Sequence, residues 1–203
     1  MAMATDRRPL VVACGRQDLF AVVATFAFSR LAFYVAGVRF NAAALTGHAD
    51  EFQLLDLEQL QHHLVRSVWY LQSQPPLFNL ASGLLLKLPA STISPVLVIA
   101  SLALSLGMVL SFFYLCLDMG VPAIPTYFLT VLVILAPSNV FYSNWWFYSF
   151  PTAVFVTFGA LCAARFVRTR STVWGIGFFG SIAVVVLLNS TFQWIGWWQR
   201  TSR

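Results

Sequence analysis

Five apolar runs follow one another along this chain, and each is close to the length that a bilayer crossing requires. The runs cover about residues 19–38, 96–117, 123–137, 150–166 and 173–188. A helix needs about 20 apolar residues to cross the hydrocarbon core of a membrane. Backbone polar groups cannot stay unpaired in lipid, so runs of this kind fold as helices. The sequence therefore predicts an all-α, polytopic membrane helix bundle of about five spans.

Composition excludes the soluble alternatives. Charged residues make up 9% of the chain, against about 25% in a soluble globular domain. Seven acidic and 12 basic side chains cannot cover the core of a chain of 203 residues that is 59% hydrophobic. The net charge of +5 is scattered, and lysine contributes only one of the basic residues. A soluble enzyme, a disordered tail and a nucleic-acid-binding protein are therefore excluded.

Arginines predict the orientation of the chain, because cytosolic loops of membrane proteins carry an excess of Lys and Arg. One group precedes the first run, and a second group lies between the last two runs: Arg7, Arg8 and Arg16, then Arg165, Arg168 and Arg170. Five spans place both groups in the cytosol, whereas six would place the second group outside. We therefore expect a multi-pass protein with a cytosolic N-terminus, in the plasma membrane or the endoplasmic reticulum.

This topology divides the chain into five segments. They are a cytosolic tail (1–18), a first span (19–38), an outer loop (39–95), four further spans (96–190) and a C-terminal tail (191–203). The outer loop begins and ends on the same side only if the apolar stretch between Pro75 and Leu88 does not cross. Fourteen residues of helix extend about 21 Å, short of the roughly 30 Å hydrocarbon core. We predict a juxtamembrane or re-entrant helix there.

The outer loop concentrates the few charged and titratable groups of the chain. Four of the seven acids and all three histidines lie in it: Asp50, Glu51, Asp56, Glu58, His48, His62 and His63. The adjacent histidines would diverge by about 100° on a helix, and no Cys-x-x-Cys pair is present, so no metal ligands are predicted. The concentration of charge predicts polar chemistry at the outer membrane face.

An amphipathic helix is predicted directly after Asp56. Apolar residues recur there every three or four positions and form one stripe: Leu57, Leu60, Leu64, Val68 and Leu71. Such a helix lies along the membrane interface, anchored here by Trp69 and Tyr70. Asp56 is suited to cap the start of this helix. Capping explains Asp56 but not the acids at positions 50 and 51.

Two further features carry alternative interpretations. Arg30 lies inside the first span, where an arginine costs about 2.5–3.5 kcal/mol, so it faces protein or water. It either binds an anion or makes a structural pair. The aromatic segment 137–149 forms an interfacial belt, or Asn144, Tyr142 and Tyr148 face a cavity and hydrogen-bond a sugar.

The order of these features resembles the GT-C superfamily of membrane glycosyltransferases. The resemblance is to the branch with protein O-mannosyltransferases and bacterial aminoarabinose transferases. Its members have an acidic pair after the first span, then interfacial helices and a Pro-Pro-Leu motif. Asp50-Glu51, the helix after Asp56 and Gln74-Pro75-Pro76-Leu77 stand here in that order. The resemblance covers about residues 16–170 and corresponds to the N-terminal part of the family's chains.

The resemblance implies transfer of a sugar from a polyprenyl-phosphate donor to an acceptor at the outer or lumenal face. Asp50 or Asp56 would be the catalytic base, with Glu51 in reserve, and the choice stays open. Arg66 or Arg30 would bind the lipid phosphate, since arginine's fork matches two phosphate oxygens. Gln74, Asn144 and Tyr148 complete the expected donor site. The implied partners are the lipid-linked sugar, membrane lipids and an unidentified acceptor; a divalent cation stays open as cofactor.

Two functions from other classes compete with this one. In the first, the chain is a non-catalytic multi-pass subunit or scaffold whose acids only solvate an interfacial helix. The second is a small transporter. A transporter is expected to carry paired acids within its spans. The five runs contain no acid, and Arg30 is the one charge that lies far from the end of its run.

Overall fold

The computed structural model describes residues 16–41, 45, 54–69 and 75–189, and across these ranges it is helical without a β-strand. The helices are α1 (Arg16–Val35), α2 (Leu57–His62), α3 (Leu64–Trp69), α4 (Pro76–Leu85), α5 (Ala90–Asp118), α6 (Ala123–Leu135), α7 (Pro137–Ser143), α8 (Ser149–Thr169) and α9 (Thr172–Leu188). An isolated parallel bridge pairs Asn41 with Trp145. The prediction of an all-α protein is confirmed.

Three of these helices, α1, α5 and α8, are long and apolar enough to cross a membrane. The α6–α7 pair meets the same condition as a unit, although it bends by 52° where the two helices join. Two shorter apolar helices, α4 and α9, have 10 and 17 residues. The described part of the chain thus contains three to four helices able to span a bilayer, as an integral membrane protein requires.

The longest helix begins earlier than its sequence indicates. Pro95 was expected to precede the span, but α5 begins at Ala90 and contains Pro95. Proline has no N–H to offer the carbonyl four residues before it, which belongs here to Ser91. Ser91 is exposed at the helix start, so water can replace the missing donor. With 29 residues, α5 extends about 43 Å.

The contacts at the two ends of α5 show which segments lie at each end of the helix bundle. At one end Ile93 and Leu97 pack in a cluster that includes Phe40 and Trp146; we call this the Trp146 end. At the opposite end, Asp118 of α5 accepts a hydrogen bond from Nε of Arg165 on α8, at 2.7 Å. Segments predicted to lie outside gather at the Trp146 end, and the Arg165 loop lies at the other.

The ion pair at the opposite end is reinforced by aromatic rings. The Arg165 guanidinium lies 4.6 Å from the Trp174 ring centre and 5.3 Å from that of Tyr114. Arg168 adds a longer contact to the same carboxylate, at 3.4 Å. Asp118 was predicted only to lie in a turn. The structure shows that it joins the ends of α5 and α8.

Small residues bring α8 and α9 close together. A Cβ atom placed on Gly177 of α9 would lie 2.8 Å from Sγ of Cys162 on α8. A Cβ atom on Gly159 of α8 would lie 3.1 Å from Cβ of Ser181 on α9. Helices in membranes commonly associate through small residues, because these let the backbones approach.

Replacement of Gly177 by leucine is expected to separate α8 from α9. Cys162 is fully buried, so the larger side chain cannot be accommodated without a backbone shift, which typically costs about 1–3 kcal/mol. Thermal unfolding of the purified protein in detergent should show the loss. Gly180→Leu is the matched control, since a Cβ there meets nothing within 4 Å. Equal losses in the two variants would contradict the packing argument.

The predicted interfacial helix is divided in two. His63 separates α2 from α3 with φ −129° and ψ 36°, so the expectation of one continuous helix was wrong. The Lys87 ammonium donates to the Gln61 carbonyl at 2.7 Å, which gives that carbonyl a partner beside the break. Leu60 and Leu64 are buried against α4 at Gly83, where the two elements approach closely.

Candidate functional site

Arg30 lies in the wall of a cleft between α1, α5 and the end of α7. The cleft has a volume of about 320 Å³, and its other polar lining residues are Tyr34, Ser143 and Asn144. Its apolar lining consists of Leu31, Phe33, Val38, Phe40, Val98 and Leu102. Leu31 and Leu102 are also exposed on the outside of the bundle. The cleft therefore opens at the surface of the bundle, between two candidate spans, α1 and α5.

The Arg30 side chain is only partly satisfied by protein groups. Its Nη2 donates to Oγ of Ser105 at 3.2 Å, and its Cζ lies 4.9 Å from the centre of the Phe26 ring. A guanidinium has five N–H donors. Nε and Nη1 are buried and have no hydrogen-bond partner among the described residues. Arg30, which the sequence proposed as an anion-binding residue, thus has unpaired N–H donors in an apolar setting. Donors in such a setting attract a hydrogen-bond acceptor strongly.

Asn144 lines the same cleft as Arg30. Its Nδ2 donates to the Val140 carbonyl at 2.8 Å, which fixes the side chain at the end of α7. Its backbone carbonyl accepts from the Asn41 amide at 2.8 Å. This bond ties the segment after α1 to the segment after α7 and closes the cleft at the Trp146 end.

The helix after the Pro-Pro pair packs against the second aromatic segment. Trp146 donates from Nε1 to Oγ of Ser82 on α4 at 3.0 Å, and its ring stacks on Phe78 at 5.5 Å. Tyr148 meets the same Phe78 ring edge-on at 6.2 Å. The two segments predicted to lie outside are thus in contact. Tyr148, however, contacts α4 and does not line the Arg30 cleft.

Asp56 is located at the start of α2, where it caps the helix. Its Oδ1 accepts from the Glu58 amide at 2.8 Å, and the side chain is exposed. The preceding Leu55 amide donates to Oδ1 of the fully buried Asn79 at 2.8 Å. Asn79 in turn donates to the Pro75 carbonyl at 2.9 Å. These bonds hold Asp56 beside the Pro-Pro motif.

Asp56 does not line the Arg30 cleft, but residues next to each of them pack against the same apolar cluster. The cluster is built on Leu45, Ile93 and Leu97, and both Phe40 and Leu57 pack against it. Phe40 lines the cleft, while Leu57 directly follows Asp56. The cluster therefore fixes the position of the carboxylate relative to the cleft.

Other predicted site residues are not brought to the cleft. Arg66 is exposed on α3 and does not line it. Asp50, Glu51 and Gln74 lie outside the described residues. Within the described ranges, no group of three or more His, Cys, Asp or Glu side chains is arranged to hold a metal ion.

A second cavity, of about 430 Å³, lies between α8 and α9. Apart from Ser181, its lining is apolar or glycine, and includes Phe155, Val156, Phe178 and Val185. It offers no charged group to a ligand. An acyl chain fits this chemistry, but a phosphate does not.

Sequence reasoning missed Ser105, which contacts Arg30. It is one of several serines in an otherwise apolar helix, and it is fully buried. The 75 residues that separate it from Arg30 leave no local pattern to connect the two. The available signal was weaker: a charged residue inside a span requires a polar partner on a neighbouring helix.

Comparison of the chain with protein-family models, with curated proteins and with solved structures finds no match.

Proposed function

We propose that this protein transfers a sugar from a polyprenyl-phosphate donor, with the donor phosphate bound at the Arg30 cleft. The observation that carries the proposal is the Arg30 guanidinium itself, whose Nε and Nη1 are buried without a hydrogen-bond partner in the described part of the chain. A half-buried cation in an apolar cleft suits a ligand that combines a charged head with a hydrocarbon chain. A lipid phosphate has both.

The shape of the cleft supports lateral entry of such a lipid. Leu31 and Leu102 line it and are 61% and 36% exposed on the bundle surface. A prenyl chain would lie along these side chains while the phosphate accepts from Arg30. Asn144 and Tyr34 supply polar groups near the phosphate, and we assign them to the sugar. Of the two phosphate ligands that the sequence proposed, Arg30 is favoured over the exposed Arg66.

Sugar transfer also needs a base for the acceptor and stabilisation of the departing phosphate. Arg30 would stabilise the phosphate. The base would be Asp56 or Asp50, and contacts of Asp56 with the Pro-Pro helix through Leu55 and Asn79 favour Asp56. In this mechanism the acceptor loses its proton to the carboxylate as its oxygen bonds to the anomeric carbon, and the bond to phosphate oxygen breaks.

We propose five crossings for the bundle, with the Trp146 end outside. The α6–α7 pair would be the third crossing. The fifth would be α9, whose 17 residues extend about 25 Å, at the lower limit for a span. The ion pair between Asp118 and Arg165 supports this arrangement, since it joins two turns that the charge rule assigns to the cytosol.

Cysteine labelling tests the orientation. In a background without Cys14, a cysteine at Ser171 should react with an impermeant maleimide only from the cytosolic side. A cysteine at Gln59, an exposed residue of α2, is the control and should react only from outside. The native Cys116 and Cys162 are buried and should stay unlabelled. Labelling of both positions from one side would refute the five-span topology.

One observation favours a second function, that of a non-catalytic membrane subunit. Asp56 is exposed and its Oδ1 accepts from the Glu58 amide as a helix cap, which gives this acid a structural role. In a scaffold protein, helix capping would be the whole role of Asp56. Under this alternative the protein would bind lipid phosphate through Arg30 without turning it over.

A transfer assay separates the two functions. Membranes that contain the protein receive a polyprenyl-phosphate sugar labelled in the sugar, and the label remaining in the lipid fraction is followed over time. The enzyme should release polyprenyl phosphate and move the label to an acceptor. Intact donor, together with saturable donor binding, would support the subunit instead.

A further inference from the structure

We infer that Ser105 and Asn139 are positioning residues, which hold the Arg30 guanidinium in the cleft and connect it to the bend between α6 and α7. The assignment deepens the proposed function, on which it rests for the identity of the ligand. The hydrogen bonds that carry it are visible without any ligand. They connect four helices, α1, α5, α7 and α6, and each acceptor side chain donates the next bond.

The three hydrogen bonds form an unbroken chain. Arg30 donates from Nη2 to Oγ of Ser105 at 3.2 Å. The Ser105 hydroxyl donates in turn to Oδ1 of Asn139, also at 3.2 Å. Asn139 then donates from Nδ2 to the backbone carbonyl of Val133 at 2.9 Å. Ser105 and Asn139 each accept one of these bonds and donate the next, so each bond polarises the one that follows.

The bond from Asn139 to the Val133 carbonyl replaces a backbone hydrogen bond that Pro137 cannot make. In a continuous helix the carbonyl of Val133 would accept from the amide of residue 137, but proline has no N–H. Asn139 supplies the missing donor from one half-turn further along. Its side chain is therefore held by the bend itself, with Oδ1 directed to Ser105. Ser105 is fully buried and Asn139 is 6% exposed, so water does not compete for these bonds.

This arrangement determines how Arg30 is presented. Ser105 accepts from Nη2, which leaves the donors of Nε and Nη1 for a ligand. The Ser105 hydroxyl donates its proton to Asn139, so the lone pairs of its oxygen are directed to Arg30. Loss of Ser105 would remove the hydrogen bond that orients the guanidinium over the Phe26 ring, and loss of Asn139 would free the Ser105 hydroxyl to rotate. A phosphate would then have to order the guanidinium on binding, at a cost in affinity.

The first test needs no ligand. In protein labelled with ¹⁵N-arginine, the Arg30 guanidinium signals are identified by their loss in Arg30→Gln. Ser105→Ala and Asn139→Ala should both shift the Arg30 Nη signals. Ser111→Ala is the matched control, because Ser111 is buried on the same helix but donates within it to Gly107, at 2.7 Å. Unmoved signals in Ser105→Ala would overturn the inference.

The second test is a double-mutant cycle on binding of polyprenyl phosphate. Ser105→Ala should lower the affinity about tenfold in the native background, equivalent to about 1.4 kcal/mol. It should have no further effect in the Arg30→Gln background, because its action passes through Arg30. An equal loss in both backgrounds would refute the positioning role. If the native protein binds no lipid phosphate while the Nη signals still shift, the positioning role stands and the proposed function falls.

Discussion

Arg30→Gln is expected to lower the affinity for polyprenyl phosphate about a hundredfold, which corresponds to about 2.7 kcal/mol. Hydrogen bonds to charged groups contribute about 1.5–3 kcal/mol each, and the substitution removes at least one of them together with the charge. Titration of the purified protein in nanodiscs with a fluorescent polyprenyl phosphate measures the loss.

The unfolding temperature of Arg30→Gln distinguishes a loss of phosphate binding from a loss of folded protein. Arg30 is a half-buried cation inside a candidate span, and neutral replacement removes the cost of placing its charge there. The unfolding temperature of Arg30→Gln should therefore equal or exceed that of the native protein. Arg66→Gln is the matched control, since Arg66 is exposed on α3 and the account gives it no phosphate. A loss of affinity in Arg66→Gln as large as in Arg30→Gln would reassign the site.

Asp56→Asn is expected to reduce the rate of sugar transfer by a factor of about 10²–10⁴, the usual contribution of a general base. Asparagine caps helices about as well as aspartate. The bond that Asp56 makes to the Glu58 amide is therefore retained, and the free energy of unfolding should change by less than about 0.5 kcal/mol. The initial rate of label transfer in membranes measures the effect.

Two further variants complete this experiment. Asp50→Asn tests the other carboxylate that the sequence proposed as the base, and the lower rate identifies which acid acts. Glu58→Gln is the control, since Glu58 is an exposed neighbour on the same helix and the account gives it no role in transfer. Native rates in both Asp56→Asn and Asp50→Asn would remove the catalytic assignment and leave the membrane-subunit alternative.

Much of the architecture could be predicted from the sequence because membrane helices are specified locally. Apolar runs and turn residues located α1, α6, α8 and α9 to within a few residues. The shortness of the helix after Pro76 was also predicted. Local patterns failed at two positions: Pro95 was expected to precede the span, and the helix after Asp56 was expected to continue through His63. Pro95 is tolerated because the Ser91 carbonyl lies in an exposed turn, where it can bond water. The helix break at His63 lies between two contacts that no local pattern contains, the Lys87–Gln61 hydrogen bond and the packing of Leu64 on Gly83.

The candidate site was less predictable, because its residues meet across long stretches of chain. Arg30 drew attention as a charge inside a span, and Asn144 as an amide within an aromatic segment, but their shared cleft depends on the Asn41–Asn144 bond. Ser105 and Asn139 carried no sequence signal of their own. They are functional candidates only because the packing of α1, α5 and α7 brings them together.

Photo-crosslinking locates a bound lipid phosphate on the protein and shows whether it occupies the Arg30 cleft. The probe is a polyprenyl phosphate with a diazirine in the isoprene unit next to the phosphate, and labelled peptides are mapped by mass spectrometry. A phosphate bound to Arg30 should place the labels on residues that line the cleft, Leu31, Tyr34, Val98 and Leu102. Labelling of these residues should fall strongly in Arg30→Gln. Labels confined to the α8–α9 cavity, on residues such as Val156 and Val185, and unchanged in Arg30→Gln would contradict binding at the Arg30 cleft.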